Sequence, residues 1–134
     1  MTTHTFRPEA IPGEIYSKMF GIKGICREMK SPAVYREDCD LWVVATDEDG
    51  SVMGFGGLKH KKDGMWVEHL YTYPQHRGKG VCRSIIKRIL EEPHETAISS
   101  CVEASRHVFQ TLGFERLAGA GYRRGYHMIK MEKI

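Results

Sequence analysis

The sequence predicts an α/β protein with a mixed, mostly antiparallel sheet flanked by helices. Its 134 residues match the usual size of one domain, so we expect a single domain over residues 1–134. Short apolar runs separated by turn residues predict consecutive strands, and a segment with strong helical periodicity lies between two such runs. The expected element order is β-α-β-β-β-α-β-α-β-β. The helix after the fourth strand connects it to the fifth, so these two strands should form one parallel pair.

The first elements are a short strand at residues 3–6 and a helical region that starts near Pro12. Proline fits the first turn of a helix because its missing N–H needs no partner there. Apolar side chains then recur at helical spacing up to residues 31–32. Gly21 and Gly24 weaken the helix and are expected to divide it into two.

Three antiparallel strands are expected next, at residues 41–45, 51–59 and 65–73. The first run is apolar and β-branched, and alternating segments follow it. Residues 47–50 and 61–64 contain the Asp and Gly that favour tight turns between paired strands. These strands should therefore lie side by side in chain order.

The second half of the sequence predicts a helix at residues 79–90, because apolar residues recur there on one face and charged residues on the other. A strand at 96–102 and a helix at 104–112 follow, and Gly113 is suited to end that helix in the left-handed conformation. Two further strands, at residues 114–120 and 126–132, are expected to close the sheet as a hairpin.

Composition excludes several classes of protein. Hydrophobic residues at 41% and charged residues at 28% oppose disorder, and no apolar run approaches the roughly 18 residues that a membrane span needs. The N-terminus lacks the apolar stretch of a signal peptide, so we expect a cytoplasmic protein. The cysteines are too scattered for a zinc site or a disulfide framework, so we expect reduced thiols and no metal. They are Cys26, Cys39, Cys82 and Cys101.

Positive charge is concentrated in one segment rather than spread over the chain. The net charge of +3 is too small to indicate nucleic-acid binding by itself. Residues 74–90 contain five basic residues and no Asp or Glu, which gives a local positive field suited to a phosphorylated ligand. A solvated basic helix face is the alternative interpretation. The five are Arg77, Lys79, Arg83, Lys87 and Arg88.

A glycine-rich loop at residues 75–82 joins the third antiparallel strand to the amphipathic helix. Its glycines allow close approach of a ligand, and the free N–H groups of the first helical turn favour an anion such as a pyrophosphate. A nucleoside-triphosphate loop requires Ser or Thr after its GK pair, whereas Gly80 is followed by Val81. A dinucleotide fingerprint requires a third glycine, but Arg83 occupies that position.

The segment Gln75-His76-Arg77-Gly78-Lys79-Gly80 resembles the Q/R-x-x-G-x-G/A signature of the GCN5-related N-acetyltransferases, the GNAT family. Residues 109–114, Phe-Gln-Thr-Leu-Gly-Phe, resemble a second element of that family. The resemblance is clearest over residues 41–114. It implies a GNAT-like fold with a parallel pair between the fourth and fifth strands, and acetyl-CoA as co-substrate.

The resemblance also implies which residues bind the cofactor. The loop would hold the CoA pyrophosphate, and the fourth strand would separate from the fifth so that its main chain contacts the pantetheine and the acyl carbonyl. Residues 12–32 would border the acceptor site. The implied cofactor residues are Leu70, Tyr71, Thr72, Gln75, His76, Arg77, Gly78, Lys79, Gly80, Val81, Cys82 and Phe109.

Acyl transfer requires a base, because an amine with a pKa near about 10 is mostly protonated at neutral pH. Glu68 is the first candidate, since family members often place a carboxylate on this strand. His69 is the alternative, with an ordinary pKa closer to neutrality. Strand alternation would send the two side chains to opposite faces. In the alternative interpretation, Glu68 is a solvated strand residue and His69 a packed one.

Two positions depart from the family pattern. Phe109 stands where members often carry a tyrosine that protonates the leaving sulfur; Cys101, Tyr122 and Tyr126 are candidate replacements. Cys82 stands where glycine is usual, and its thiol would make cofactor binding sensitive to alkylation or oxidation.

The sequence therefore predicts an acetyltransferase that moves an acetyl group from acetyl-CoA to a primary amine of a small molecule or a protein. The alternatives are a non-catalytic acyl-CoA-binding module and a nucleic-acid- or protein-binding domain that uses the basic residues, including Arg123 and Arg124. Neither a membrane nor a nucleic acid is an expected partner. The acceptor amine and the choice between monomer and homodimer stay open.

Overall fold

The computed structural model describes residues 1–29, 33–101, 103–116, 122–123 and 126–132. Its order of strands and helices follows the sequence prediction, with one additional short strand near the C-terminus. The strands are β1 (Thr2–Phe6), β2 (Leu41–Thr46), β3 (Val52–Lys61), β4 (Gly64–Thr72), β5 (Thr96–Cys101), β6 (Glu115–Arg116), β7 (Tyr122–Arg123) and β8 (Tyr126–Glu132). The α-helices are α1 (Gly13–Met19), α2 (Lys23–Glu28), α3 (Val81–Leu90) and α4 (Glu103–Thr111).

The N-terminal helical region is divided in two, as the glycines predicted. Gly21 lies between α1 and α2 with a φ of 76°, a conformation that residues with a side chain rarely adopt. The expected end of this region, residues 31–32, lies outside the described residues. Of the helices that the described residues form, none is both long and apolar enough to span a bilayer.

The strands form one mixed sheet in the order β1-β2-β3-β4-β5-β8-β6, with β7 paired to β8. The β4–β5 pair is parallel and the other pairs are antiparallel. This arrangement confirms the predicted parallel pair, because α3 carries the chain across the sheet between β4 and β5. Of the predicted strand at residues 114–120, the structure describes Glu115–Arg116 as β6, paired with β8, and residues 117–120 lie outside the described residues.

Helix α3 begins later than its periodicity predicts. The apolar pattern starts near Lys79, but Gly80 has a φ of 79° and a left-handed conformation at the N-cap, so the helix begins at Val81. The two residues before it therefore belong to the loop. This adds length to the turn in front of the helix N-terminus.

Each face of the sheet carries its own apolar core. On one face, α3 buries its apolar stripe of Val81, Ile85, Ile86 and Ile89 against β3 and β4 together with Phe109. On the other face, α1 and α2 cover an aromatic cluster around Trp42, Phe55 and Tyr71. Gly57 allows the close approach of this second core, because a Cβ there would clash with Cys39 Sγ.

Candidate active site

Strand β4 separates from β5 halfway along its length. The parallel pairing runs from Met65 opposite Ala97 to Val67 opposite Ser99, and β4 then continues to Thr72 beside β3 alone. At the last paired position, the Ser99 hydroxyl donates a hydrogen bond of 3.0 Å to the Val67 carbonyl. The second half of β4 therefore presents an open edge, as the family resemblance implied.

A cavity of about 180 Å³ lies in the gap between the separated strands. Both base candidates, Glu68 and His69, line it together with Leu70. The opposite wall comes from β5, α4 and the end of α2. Its residues are Ser99, Ser100, Cys101, Ser105, Phe109 and Met29.

A β-bulge at His69 changes the faces on which the base candidates lie. Glu68 pairs with Gly57 and Tyr71 pairs with Phe55, so His69 and Leu70 together lie opposite the single residue Gly56. His69 has a φ of 53°, the one positive φ outside glycine among the described residues. The predicted alternation is therefore wrong here, because the extra residue returns His69 to the Glu68 side of the sheet.

The contacts of these two residues agree with that arrangement. His69 stacks on Trp42 in the core beneath α1 and α2, with ring centroids 6.0 Å apart. Glu68 carries a charge that contributes to the raised pKa of the Cys39 thiol in the same core, where burial is the larger cause. Both base candidates therefore lie on the α1–α2 side.

The base candidates have different partners. Glu68 Oε1 lies 2.8 Å from Lys61 Nζ, and that ammonium lies 4.5 Å from the centroid of the Trp66 ring. His69 Nε2 lies 3.0 Å from Asp38 Oδ2. One candidate is thus paired with a cation and the other with an anion.

The β3–β4 register determines which main-chain groups face the gap. Tyr73 N–H donates to the Met53 carbonyl at 3.0 Å, so Tyr73 and Met53 form a hydrogen-bonded pair of the β3–β4 ladder. Because hydrogen-bonded and non-hydrogen-bonded pairs alternate, the N–H and C=O of Tyr71 also point toward β3. The groups of Leu70 and Thr72 then face the open edge. Of the three residues expected to contact the cofactor through their main chain, Tyr71 is therefore already used by the sheet.

The glycine-rich loop ends at the open N-terminus of α3. Gly78 and Gly80 both have a φ of 79°, and the first helical hydrogen bond runs from Ser84 N–H to the Gly80 carbonyl at 3.0 Å. The amides of Val81, Cys82 and Arg83 precede that bond and have no acceptor within the helix. They can therefore donate to an anion at this position.

A cleft of about 530 Å³ lies over this helix N-terminus and adjoins the gap, because Met29, Leu70 and Ser105 line both. Gln75 and Lys79 are exposed and are absent from the lining, so the structure does not bring these two predicted residues to the cleft. The predicted residues that do line it are Leu70, Tyr71, Thr72, His76, Arg77, Gly78, Gly80, Val81 and Cys82.

A polar cluster joins the loop to α2. Arg77 Nη2 lies 2.9 Å from Glu28 Oε2, and Arg77 Nε donates to the Thr72 carbonyl at 3.0 Å. A hydrogen bond from the Tyr71 hydroxyl is the main reason that the pKa of Glu28 lies below its ordinary value, and Arg77 adds to this effect. Burial, and then the bond to Glu28, raises the pKa of Tyr71 to about 12.

The positions that depart from the family pattern are largely apolar in their surroundings. Phe109 is buried against Phe114 in an edge-to-face contact of 4.9 Å and has no proton to donate. Burial, and then the neighbouring Cys101, raises the pKa of the Cys82 thiol to about 12, which opposes the expected sensitivity to alkylation. Cys101 is buried and lines the gap, whereas the side chains of Tyr122 and Tyr126 lie outside the described residues.

Sequence reasoning did not find two of the polar groups at this site, Glu28 and Asp38. Both lie far before β4 in the chain, and neither belongs to a motif. For Asp38, the sequence could have indicated no more than a local turn, because its carboxylate caps the Tyr35 N–H at 2.9 Å. Among the described residues, no group of side chains has the arrangement of a metal site.

Known proteins resemble this chain in sequence and in fold. The chain is 33% identical over 89 residues to the L-amino acid N-acyltransferase MnaT of Escherichia coli K12, a match that covers 54% of this chain and 49% of that protein. The chain thus spans about half the length of this curated relative. Similar solved structures include E. coli ElaA, with a TM-score of 0.75, 12% identity and coverage of 98% and 99%.

Two further structures share the fold. An acyl-CoA N-acyltransferase from Pseudomonas aeruginosa has a TM-score of 0.73 at 11% identity, with coverage of 98% of this chain and 99% of that one. The yncA protein of Salmonella typhimurium, solved with acetyl-CoA, has a TM-score of 0.68 at 15% identity, with coverage of 98% and 93%. The family model described as an acetyltransferase (GNAT) domain matches residues 6–134. This protein therefore belongs to the GNAT acetyltransferase family.

Proposed function

We propose that this protein transfers the acetyl group of acetyl-CoA to a primary amine. The observation that carries the proposal is that an open β4 edge and an open helix N-terminus lie in two adjoining recesses that share lining residues. The edge offers main-chain hydrogen bonds to an extended chain, and the helix offers amides to an anion. Acetyl-CoA has both features, a pantetheine arm and a pyrophosphate.

In the proposed complex, the pyrophosphate accepts hydrogen bonds from the amides of Val81, Cys82 and Arg83. The pantetheine follows the main-chain groups of Leu70 and the N–H of Thr72 along the open edge, because the Thr72 carbonyl already accepts from Arg77. The thioester lies near the bulge. Main-chain donors at this edge would stabilise the oxyanion that develops on the acyl carbonyl. These roles require backbone groups rather than particular side chains.

The amine nitrogen attacks the thioester carbon, the carbon–sulfur bond breaks, and the proton of the amine passes to a base. We assign the base to His69 rather than Glu68, because the Glu68 carboxylate forms an ion pair with Lys61, whereas Asp38 lies where it can stabilise a protonated His69. The thiol has an ordinary pKa of about 8.5, so CoA can leave as a thiolate. Phe109 in place of a proton donor therefore does not prevent turnover.

The acceptor is proposed as a small or peptide amine. The E. coli relative is named as an L-amino acid N-acyltransferase, so L-amino acids come first in a panel that also contains polyamines and peptide N-termini. The proposal further includes one domain over the chain, a cytoplasmic location and either a monomer or a homodimer as the active form.

A non-catalytic acyl-CoA-binding module is the second candidate function, and Phe109 favours it because the phenyl ring cannot protonate the leaving group.

The other alternative, a nucleic-acid- or protein-binding domain that uses the basic residues, is weakened because three of these residues already have partners within the protein. Arg77 bonds Glu28, Arg83 donates to Thr111 at 2.7 Å, and Arg88 pairs with Glu91 and Glu92. These guanidinium groups are therefore engaged within the protein.

Isothermal titration with acetyl-CoA, using ATP and NAD as controls at two salt concentrations, tests the proposed cofactor site. Saturable one-to-one binding of acetyl-CoA alone is the expected result. Equal binding of all three ligands, with an affinity that falls steeply with salt, would indicate a general anion-binding surface. The absence of acetyl-CoA binding would overturn both the acyltransferase and the acyl-CoA-binding proposals.

A further inference from the structure

We infer that Asp38 positions the imidazole of His69 as the proton acceptor of acyl transfer, by holding Nε2–H and leaving the Nδ1 lone pair for the attacking amine. Asp38 is a positioning residue in this account and His69 is the catalytic one. The inference rests on the proposed function, because it assigns a partner to the base of that same site.

The distance between the two side chains is the first support. Asp38 Oδ2 lies 3.0 Å from His69 Nε2, and these side chains are 31% and 17% exposed. A carboxylate beside one ring nitrogen favours the tautomer that carries its proton there. No hydrogen bond to Nδ1 occurs among the residues that the structure describes, so this nitrogen is left with its lone pair.

Asp38 is itself held in place by the segment before β2. The same Oδ2 atom accepts the Tyr35 N–H at 2.9 Å, which closes a 3₁₀ turn over Arg36–Asp38. The indole N–H of Trp42 donates to the Arg36 carbonyl at 2.8 Å and fixes this turn against the buried core. The position of the carboxylate is therefore fixed by the turn to which it belongs.

Trp42 also orients the ring of His69. The indole and imidazole planes are 19° apart with centroids at 6.0 Å, so the histidine lies in a defined plane. The residue that supports the Asp38 turn thus also supports the His69 ring. Both members of the pair depend on the same fully buried side chain.

The backbone of His69 indicates that this placement is specific. A φ of 53° is uncommon for a residue with a side chain, and such conformations persist where the surrounding structure holds them. A regular strand would have placed the imidazole on the other face, away from Asp38. The bulge therefore brings the pair together at the point where β4 opens toward the gap.

The chemical consequence is a balanced proton transfer. As the amine nitrogen bonds to the acyl carbon and CoA leaves as a thiolate, the amine proton passes to Nδ1 of His69. The imidazolium that results keeps Nε2–H on Asp38, so the carboxylate stabilises the new positive charge without taking the proton. After release of the products, the imidazolium returns its proton to solvent.

Four variants test the inference on the full chain: Asp38→Asn, His69→Gln, the double variant, and Asp40→Asn as the matched control. Asp38→Asn removes the charge but retains an oxygen that can cap Tyr35. Asp40 lies nearby in the same segment, accepts the His60 N–H at 2.8 Å and pairs with Lys59, so its substitution removes a similar charge away from His69. Turnover is measured with acetyl-CoA and the best amine of the panel.

We expect Asp38→Asn to lower kcat roughly tenfold or more with an unchanged KM for acetyl-CoA, since a general base contributes about 10²–10⁴ in rate. Asp40→Asn should stay within about twofold of wild type. The double variant should be no slower than His69→Gln alone, because Asp38 acts through His69. If Asp38 had a purely structural role, the kcat of the double variant would fall below that of His69→Gln.

Nitrogen-15 NMR of the His69 ring supplies a readout that does not depend on turnover. Wild type should show the Nε2–H tautomer, and Asp38→Asn should shift the population toward Nδ1–H. A wild-type Nδ1–H tautomer would overturn the inference even if Asp38→Asn does not fold. If wild type acetylates none of the amines, the proposed function is refuted. If His69→Gln is slow but Asp38→Asn keeps the wild-type kcat, the positioning role of Asp38 alone is refuted.

Discussion

The two halves of β4 share one strand but differ in what surrounds them. From Met65 to Val67 the strand is paired on both sides, by β3 and by β5, and Met65 and Val67 are almost completely buried. From Glu68 to Thr72 it is paired on one side, carries a bulge and presents partly exposed polar side chains. We therefore expect substitutions in the paired half of β4 to change stability and substitutions in the open half to change turnover.

The largest expected effect comes from the open half. His69→Gln should lower kcat by roughly 10²–10⁴ with little change in the free energy of unfolding, because a base is lost while the shape is kept. Glu68→Gln is the matched control on the preceding residue, and it should reduce the rate by less than about tenfold. Steady-state kinetics with the best amine acceptor measures both. A large loss in Glu68→Gln with an active His69→Gln would reverse the assignment of the base.

A substitution in the paired half of β4 should lower stability and leave kcat unchanged. Met65→Ala removes a buried side chain that is 1% exposed, so it should lower the free energy of unfolding by about 2–5 kcal/mol. The folded fraction should keep its kcat, since Met65 does not line the gap. Urea unfolding and kinetics on the same sample test this prediction. A kcat that falls with an unchanged stability would show that the two halves are not separable.

Two glycines with matching backbone conformations, Gly80 in the loop and Gly50 far from it, test whether the loop anchors acetyl-CoA. Gly80 and Gly50 have φ values of 79° and 81°, and a Cβ at either would meet no atom within 4 Å. Substitution by Ala should therefore lower the free energy of unfolding by about 1–2 kcal/mol at either position, because a residue with a Cβ is strained in the left-handed conformation. Only Gly80→Ala should also raise the dissociation constant for acetyl-CoA, because Gly50 lies in the distant β2–β3 turn. Equal acetyl-CoA affinity of the two variants, measured by calorimetry, would contradict the anchoring role of the loop.

The smallest expected effect concerns the cluster that joins α2 to the loop. The pKa of Glu28 is lowered in the folded protein, so its contribution to stability is present above its ordinary pKa and is lost as the pH falls through the folded value. Glu28→Gln should therefore cost less than about 1 kcal/mol near neutral pH, because the carboxylate is well exposed. The difference from wild type should disappear in acid. A difference that grows below pH 4 would contradict this sign.

Much of the fold could be predicted because its signals are local. Strands β2 to β4, the division at Gly21 and the helix after the glycine-rich loop all follow from periodicity and turn residues within each segment. The loop could be recognised because glycines placed directly before an amphipathic helix are typical of a loop that binds an anion. The family assignment, made from the loop and residues 109–114, is confirmed by the family match over residues 6–134.

The details of the site could not be predicted because they depend on register between distant segments. Alternation along β4 separates Glu68 from His69, and only the pairing of two residues with Gly56 reveals the bulge. Asp38 meets His69 because a 3₁₀ turn before β2 packs against β4, which no spacing in the sequence encodes. The exposed positions of Gln75 and Lys79 likewise depend on how the loop turns before α3.

Direct detection of product tests the central claim, that the open half of β4 supports acetyl transfer to an amine. Wild-type protein is incubated with acetyl-CoA and each amine of the panel, and both free CoA thiol and the mass of the amine are measured. The account predicts an acetylated amine formed in equal amount with free CoA, and both products formed roughly 10²–10⁴ times more slowly with His69→Gln. Binding of acetyl-CoA with no acetylated amine in the whole panel would contradict the account and favour the non-catalytic module.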